Sequence, residues 1–169
     1  MKLSALCIGT SLLLAVLLTS APEGQARGKD FRFKTQFTGG NTCLDIINDG
    51  KNKIPSMAKC SSYSGQAWQL IQTGEAGYFK LKNGFSGPGM CLDIVNDGKN
   101  NQPTMSRCGD FSGQSWKFEA TPDNKYAKLK NTFSGEKMCL DIINDGKNDQ
   151  LSMDKCDYVT GQFWRNTAF

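Results

Sequence analysis

Histidine is absent from all 169 residues of the sequence. Because histidine is the commonest general base and the commonest metal ligand, its absence disfavours a catalytic or metal-binding role. Long apolar runs are also lacking beyond a leucine-rich stretch that ends at Leu18, so the sequence predicts no membrane span. The net charge of +4 is mild and the lysines are spread along the chain, so no nucleic-acid interface is predicted.

The N-terminal segment has the features of a secretory signal peptide. Lys2 forms a short basic region, the leucine-rich stretch follows, and Gly24 and Ala26 supply small residues at the cleavage positions. We predict a signal peptide over residues 1–26, because the apolar stretch is shorter than the ~20 residues of a membrane anchor, the alternative. Residues 27–169 would then be secreted and extracellular. They keep an even number of cysteines, which indicates disulfides in an exported chain.

One ten-residue stretch occurs three times, with copies 48 residues apart. The three copies are Cys43–Asn52, Cys91–Asn100 and Cys139–Asn148, and the second differs from the others only by Val95. A second cysteine and then Gly-Gln-x-Trp follow every copy at the same spacing. The repeats therefore decide the organisation of the chain.

Apolar–polar alternation predicts about four short strands in each repeat and no helix. In the first repeat these strands are near Phe31–Lys34, Cys43–Ile46, Pro55–Cys60 and Gln66–Leu70. The alternation places Leu44 and Ile46 on the inner face of the second strand, with Cys43 and Asp45 on its outer face. The Asp-Gly pair after that strand favours a hairpin turn.

Three units of about four strands predict an all-β fold, a β-trefoil with three pseudo-threefold repeats. One unit cannot bury its own apolar face, so the three must assemble around a shared core. A propeller, which has the same number of strands in each blade, needs at least four blades. We predict one domain over residues 27–169, with repeats at about 30–72, 78–120 and 126–169.

The six cysteines of that domain allow fifteen disulfide pairings. Three of these pairings preserve the threefold symmetry. The one within each repeat closes three equivalent short loops, and alternation places both of its partners on the outer face of neighbouring strands. A zinc site is the alternative, but the sequence has neither a CxxC spacing nor a histidine. The predicted bridges are Cys43–Cys60, Cys91–Cys108 and Cys139–Cys156.

A Cys-Leu-Asp strand, a downstream cysteine partner and Gln-x-Trp, three times in register, resemble the ricin B-chain type of β-trefoil lectin. The resemblance covers residues 27–169 and implies non-covalent binding of glycans or glycoproteins. It implies that the tryptophans are core residues, Trp68, Trp116 and Trp164. It implies that the glutamines fix the local fold, Gln66, Gln114 and Gln162. It implies that the aspartates are the main sugar ligands, Asp45, Asp93 and Asp141.

The sequence departs from the galactose-binding pattern of that family at two positions. An aromatic platform is expected two residues before the second cysteine, where this chain has Ala58, Ser106 and Asp154. A ligand asparagine is expected before Gln-x-Trp, where this chain has Gly65, Gly113 and Gly161. Aromatic residues after the second cysteine are a substitute platform, since a ring stacks on the apolar face of a sugar: Tyr63, Phe111 and Tyr158. Further candidate ligands are the asparagines after the Cys-Leu-Asp strand, Asn48, Asn96 and Asn144.

Catalysis is not predicted, because the chain has no nucleophile motif and no histidine. The carboxylates of Asp45 and Asp49 would have to be catalytic in all three repeats, and Asp49 has a local role in its turn. The spacing of the acidic residues also fails the calcium-loop pattern, so no metal or cofactor is predicted. The sequence therefore predicts a secreted lectin with up to three shallow sugar sites. The alternative is a secreted β-trefoil that binds a protein, as a cytokine-like ligand or an inhibitor.

Overall fold

Twelve short strands and three single-turn 3-10 helices make up the computed structural model over residues 29–169, the part of the chain that it describes. The signal peptide predicted for residues 1–26 lies outside the described residues. The strands of the first repeat are β1 (Asp30–Thr35), β2 (Thr42–Ile46), β3 (Pro55–Lys59) and β4 (Trp68–Gln72). Those of the second are β5 (Tyr78–Asn83), β6 (Met90–Ile94), β7 (Pro103–Arg107) and β8 (Trp116–Ala120). Those of the third are β9 (Ala127–Asn131), β10 (Met138–Ile142), β11 (Leu151–Lys155) and β12 (Trp164–Ala168).

Six of the strands form a closed antiparallel barrel. Going round the barrel, β1 pairs with β4, β4 with β5, β5 with β8, β8 with β9, β9 with β12, and β12 with β1. The other six strands form three hairpins, β2–β3, β6–β7 and β10–β11, one for each repeat. This arrangement of three equivalent units confirms the predicted β-trefoil.

The hairpins are linked to one another in a cycle. The backbone N–H of Met57 donates to the carbonyl of Asp149 at 2.8 Å, so the first hairpin is bound to the third repeat. Met105 donates in the same way to Lys53 at 2.8 Å, and Met153 donates to Asn101 at 2.7 Å. Since each repeat is bonded to another in this way, the hairpins act as one cap and not as three independent arms.

Each repeat places a tryptophan at the centre of the core. Trp68, Trp116 and Trp164 are buried, as are the leucines that follow the first cysteine of each repeat. The indole N–H of Trp68 donates to the carbonyl of Leu44 at 2.9 Å, and the two equivalent pairs are 2.9 and 2.8 Å. A buried indole needs such a partner, so the tryptophan joins the last strand of its repeat to the second.

Two local predictions are wrong in detail. The fourth strand begins at Trp68 and not at Gln66, because Ser64–Gln66 forms a 3-10 helix. Residues 47–54 form a longer loop in place of a tight hairpin turn. In this loop Oδ1 of Asp49 accepts hydrogen bonds from the N–H groups of Lys51 and Asn52 at 3.0 and 2.8 Å.

The three disulfides join the predicted cysteines, Cys43–Cys60, Cys91–Cys108 and Cys139–Cys156. In each bridge the two Cα atoms are 5.0 Å apart. Cys43 was predicted on the outer face of its strand, but this face is not open to solvent there, since Cys43 is completely buried. Its partner Cys60 lies in the loop that follows β3, and this loop brings the 3-10 helix next to β2.

Candidate carbohydrate site

Three equivalent clefts lie between the hairpins and the 3-10 helices, one for each repeat. The first cleft encloses about 430 Å³ and contains Asp45, Asn48, Ser56, Tyr63, Gly65 and Phe85. The second encloses about 670 Å³ and contains Asp93, Asn96, Thr104, Phe111, Gly113 and Phe133. The third encloses about 510 Å³ and contains Asp141, Asn144, Ser152, Asp154, Val159 and Phe37. The predicted aspartate and asparagine of each repeat therefore share one cleft.

The aspartate of each cleft is held by two hydrogen bonds from the protein. Oδ1 of Asp45 accepts from the N–H of Ile46 at 2.7 Å, and Oδ2 accepts from Nε2 of Gln66 at 2.8 Å. The equivalent bonds of Asp93 are 2.8 and 2.9 Å, and those of Asp141 are 2.7 and 2.9 Å. The prediction that Asp45 faces open solvent is therefore too simple, because the residue is half-buried and fixed from two sides.

The glutamine that holds the aspartate has all its hydrogen-bonding groups occupied. Nε2 of Gln66 also donates to the carbonyl of Lys59 at 2.9 Å, and its Oε1 accepts from the N–H of Ser61 at 2.8 Å. Gln114 and Gln162 repeat the same three contacts. The glutamine thus joins the loop after the second cysteine to the carboxylate on β2, and all three glutamines are buried.

Glycine is required at the position before each of these glutamines. A Cβ built on Gly65 would collide with Oδ1 of Asp45 and lie 3.3 Å from the backbone nitrogen of Ile46. The same collision with an aspartate Oδ1 occurs at Gly113 and Gly161. Because of this close approach, the ligand asparagine that the resemblance places here has no room in this chain.

The aromatic rings predicted to form a platform do not occupy equivalent positions. Tyr63 and Phe111 are the residues before the 3-10 helices of their repeats and stand at the rim of the first and second clefts, 70% and 62% exposed. The matching residue of the third repeat is Val159. Tyr158 is not among the residues of the third cleft, and its ring lies edge-on against Phe163, 4.7 Å between centroids.

Three phenylalanines of the clefts were missed by sequence reasoning. In each cleft the phenylalanine and the aspartate come from different repeats. Phe85 lies in the first cleft, Phe133 in the second and Phe37 in the third. They are half-buried and pack against the core. Their 48-residue spacing was a signal that they are equivalent, but alternation within one repeat could not show which cleft they reach.

A carboxylate on β11, that of Asp154, distinguishes the third cleft from the other two. Burial raises the pKa of the Asp141 carboxyl, and the nearby negative charge of Asp154 raises it further, against the hydrogen bonds from Gln162 and Ile142. At the position of Asp154 the other repeats have Ala58 and Ser106. Within residues 29–169, no group of three or more histidine, cysteine or acidic side chains is placed to hold a metal ion.

A disulfide-bonded β-trefoil with one carboxylate cleft in each repeat defines a carbohydrate-binding protein of the β-trefoil lectin class. The chain belongs to the family of the ricin-type β-trefoil lectin domain, which matches residues 31–164. No match was found among curated proteins. Over the same described region, no helix is long and apolar enough to cross a membrane.

Solved structures share the fold at low sequence identity. A designed threefold-symmetric protein, ThreeFoil, is 22% identical with a TM-score of 0.68, over 83% of this chain and 99% of that one. A lectin of Polyporus squamosus bound to the epitope Neu5Acα2-6Galβ1-4GlcNAc is 17% identical with a TM-score of 0.67, over 84% of this chain and 50% of that one. A GlcNAcα1-4Gal releasing endo-β-galactosidase of Clostridium perfringens is 15% identical with a TM-score of 0.67. That match covers 83% of this chain but only 32% of the enzyme, so the likeness shows the fold alone.

Proposed function

We propose that this chain is an exported, non-catalytic lectin that binds carbohydrate at three separate clefts, with Asp45, Asp93 and Asp141 as the principal hydrogen-bond acceptors. The observation that carries the proposal is the identical placement of these carboxylates in all three repeats. Each of the three carboxylates lies in an open cleft.

The protein leaves part of each carboxylate available to a ligand. An ionised carboxylate offers about four acceptor sites, and Ile46 and Gln66 use two of those of Asp45. The remaining sites can accept hydrogen bonds from two neighbouring hydroxyls of a sugar ring, and such charge-assisted bonds are the stronger kind. Because the carboxylate is already fixed, binding costs little side-chain entropy.

The three clefts differ in what surrounds this common acceptor. In the first and second, the exposed rings of Tyr63 and Phe111 offer an apolar surface on which a sugar can stack. The third has Val159 there and a second carboxylate from Asp154. Open clefts with so few contacts bind single sugars weakly, at millimolar to high micromolar concentrations, or about −4 to −6 kcal/mol. Three sites on one barrel then add avidity toward branched or clustered glycans.

Hydrolysis is not part of the proposal. The second cleft also contains the carboxylate of Asp110, which is paired with Lys80, and the third also contains that of Asp154. The feature common to all three clefts is a single aspartate. Asp49 is no partner for Asp45, because it is absent from the first cleft and its Oδ1 is bonded to the loop backbone. An arrangement repeated three times with one carboxylate fits reversible recognition better than acid–base chemistry, which needs two groups with different roles.

A glycan array tests the proposal. The triple variant Asp45→Asn/Asp93→Asn/Asp141→Asn should lose binding to every glycan that the parent binds. The matched control Asp49→Asn/Asp97→Asn/Asp145→Asn makes the same change of charge on exposed turns and should bind like the parent. Circular dichroism should show that both variants are folded. A parent protein that binds no glycan would overturn the proposal and favour the protein-binding alternative, and a folded triple variant that binds normally would exclude these aspartates.

A further inference from the structure

Three aromatic rings form a cluster in the third repeat, beside its sugar cleft. Phe163 is almost completely buried, at 5% exposure, and the ring of Tyr126 stacks against it at 6.1 Å and 25°. The ring of Tyr158 lies edge-on against Phe163, at 4.7 Å and 73°, and remains 66% exposed. We call the depression lined by these three rings the aromatic groove.

The aromatic groove is not needed by the common fold. The residues equivalent to Phe163 are Ala67 and Ser115, and those equivalent to Tyr158 are Ser62 and Asp110. The first and second repeats form the same strands and the same 3-10 helix with these small or polar residues. The cluster is therefore an addition to one repeat, and its large exposed ring has no structural counterpart in the others.

The groove has the size and the chemistry of a sugar site. It encloses about 330 Å³, and its polar edge consists of Gln36, Asp123, Lys125 and Thr160. Small-molecule sites are typically about 300–1,000 Å³, with an apolar floor and a few polar groups that fix orientation. Oδ1 of Asp123 accepts from the hydroxyl of Thr121 at 2.6 Å and from the N–H of Lys125 at 3.1 Å, so this carboxylate is also held in place.

The groove adjoins the third cleft. Thr160 lines both of them. The backbone N–H of Gln36 donates to the carbonyl of Phe163 at 2.9 Å, and that of Phe37 donates to Thr160 at 3.2 Å. Of these two successive residues, Gln36 lines the groove and Phe37 lines the cleft. A ligand longer than one sugar can therefore cross Thr160 and contact both.

We propose that the aromatic groove is a second subsite of the third cleft, so that the third repeat binds an uncharged oligosaccharide of two or more residues. One sugar lies against Asp141, and the next stacks on Tyr158. The carboxylates of Asp141 and Asp154 disfavour an acidic sugar in the cleft, and in the groove the charge of Lys125 is balanced by that of Asp123. This inference rests on the proposed function, since it requires that the third cleft bind a sugar.

The test uses the full chain with only its third cleft active, Asp45→Asn/Asp93→Asn. Calorimetric titrations compare galactose, N-acetylglucosamine and mannose with lactose, N,N′-diacetylchitobiose and mannotriose. At least one oligosaccharide should bind about five- to tenfold more tightly than its monosaccharide, which is the gain expected from one stacked ring. Tyr158→Ala in this background should remove that gain and leave the monosaccharide affinity unchanged.

Tyr63→Ala in the same background is the matched control, because it removes an equally exposed ring beside an inactive cleft. Tyr158→Phe should keep the gain, since stacking needs the ring and not the hydroxyl. In the parent protein, NMR titration should shift the amides of Asp123, Lys125 and Thr160 with the oligosaccharide more than with the monosaccharide. If sugars bind the third cleft but Tyr158→Ala leaves oligosaccharide affinity unchanged, the inference is wrong and the proposed function stands. If the parent binds no sugar, both are wrong.

Discussion

The carboxylate of Asp45 accepts two hydrogen bonds from the protein before any ligand is present, from Ile46 and from Gln66. Gln66 is in turn fixed by the backbone of Lys59 and Ser61. A ligand-binding residue with such support keeps its position in the free protein, which lowers the entropic cost of binding. The same bonds make the aspartate part of the local fold, so its replacement affects both stability and binding.

Gly65→Ala tests how closely the 3-10 helix approaches the carboxylate. The added Cβ would collide with Oδ1 of Asp45, which cannot move away without losing its bond to Ile46. We expect a loss of about 1–3 kcal/mol in the free energy of unfolding, together with loss of sugar binding at the first cleft. Urea denaturation and sugar titration measure the two effects.

Gly74→Ala is the control for this substitution, because a Cβ at Gly74 would meet no atom within 4 Å. It should be neutral or slightly stabilising, as is usual where the backbone accepts alanine without strain. If Gly65→Ala behaved like Gly74→Ala in both measurements, the close approach of Gly65 to Asp45 would be contradicted.

The pH dependence of the third cleft follows from the raised pKa of Asp141. As the pH falls through this pKa, Asp141 takes up a proton and loses its charge, so sugar binding weakens. Asp154→Ser removes the like charge that contributes to the raised pKa and leaves burial, its larger cause. The pKa of Asp141 should then fall, and binding should persist to lower pH. Sugar titrations at stepwise pH in the Asp45→Asn/Asp93→Asn background measure the pH at which half of the binding is lost. If Asp154→Ser leaves this pH unchanged or raises it, Asp154 does not raise the pKa of Asp141.

At the scale of elements, the strands were predictable and the connections between them were not. Alternation within each repeat located β2 and β3 to within a residue, because a strand with one buried face imposes a period of two. The 3-10 helix Ser64–Gln66 has no such period, and it depends on a contact with Asp45 that is distant in sequence. The prediction of Tyr158 was an error of register, because the 48-residue period that relates Tyr63 to Phe111 leads to Val159. Val159 is the residue that lines the third cleft.

Substitutions on β2 and β4 separate the core from the cleft. Trp68→Ala should lower the free energy of unfolding by about 3–5 kcal/mol, because it empties a buried site. Asp45→Ala should cost less, about 1–3 kcal/mol, since it leaves a donor of buried Gln66 without a partner. Tyr63→Ala, at an exposed ring, should stay within about 0.5 kcal/mol of the parent. Urea denaturation measures the free energy of unfolding of all three variants. Equal losses for Trp68→Ala and Tyr63→Ala would contradict the buried position of Trp68 and the exposed position of Tyr63.

In the whole molecule, each repeat contributes a phenylalanine to the cleft of another repeat, and these contributions form a cycle. The first cleft contains Phe85 of the second repeat, and the second cleft contains Phe133 of the third repeat. The third cleft contains Phe37 of the first repeat. The cap hydrogen bonds link the hairpins in a cycle as well. No cleft is complete within one repeat, so the three sites form only when the barrel closes. The sequence of a single 48-residue repeat therefore predicts the strands of that repeat but not the complete sugar cleft.

The number of sugar sites in solution shows directly whether each cleft binds a sugar. Saturation titration of the parent with a monosaccharide that it binds should give three sites for each chain. The single variants Asp45→Asn, Asp93→Asn and Asp141→Asn should each give two, and Asp49→Asn should still give three. Because asparagine places an amide group against one of the donors that hold the carboxylate, the fold of each variant is checked by its unfolding midpoint. If folded single variants retain three sites, the clefts do not bind their sugars through their own aspartates.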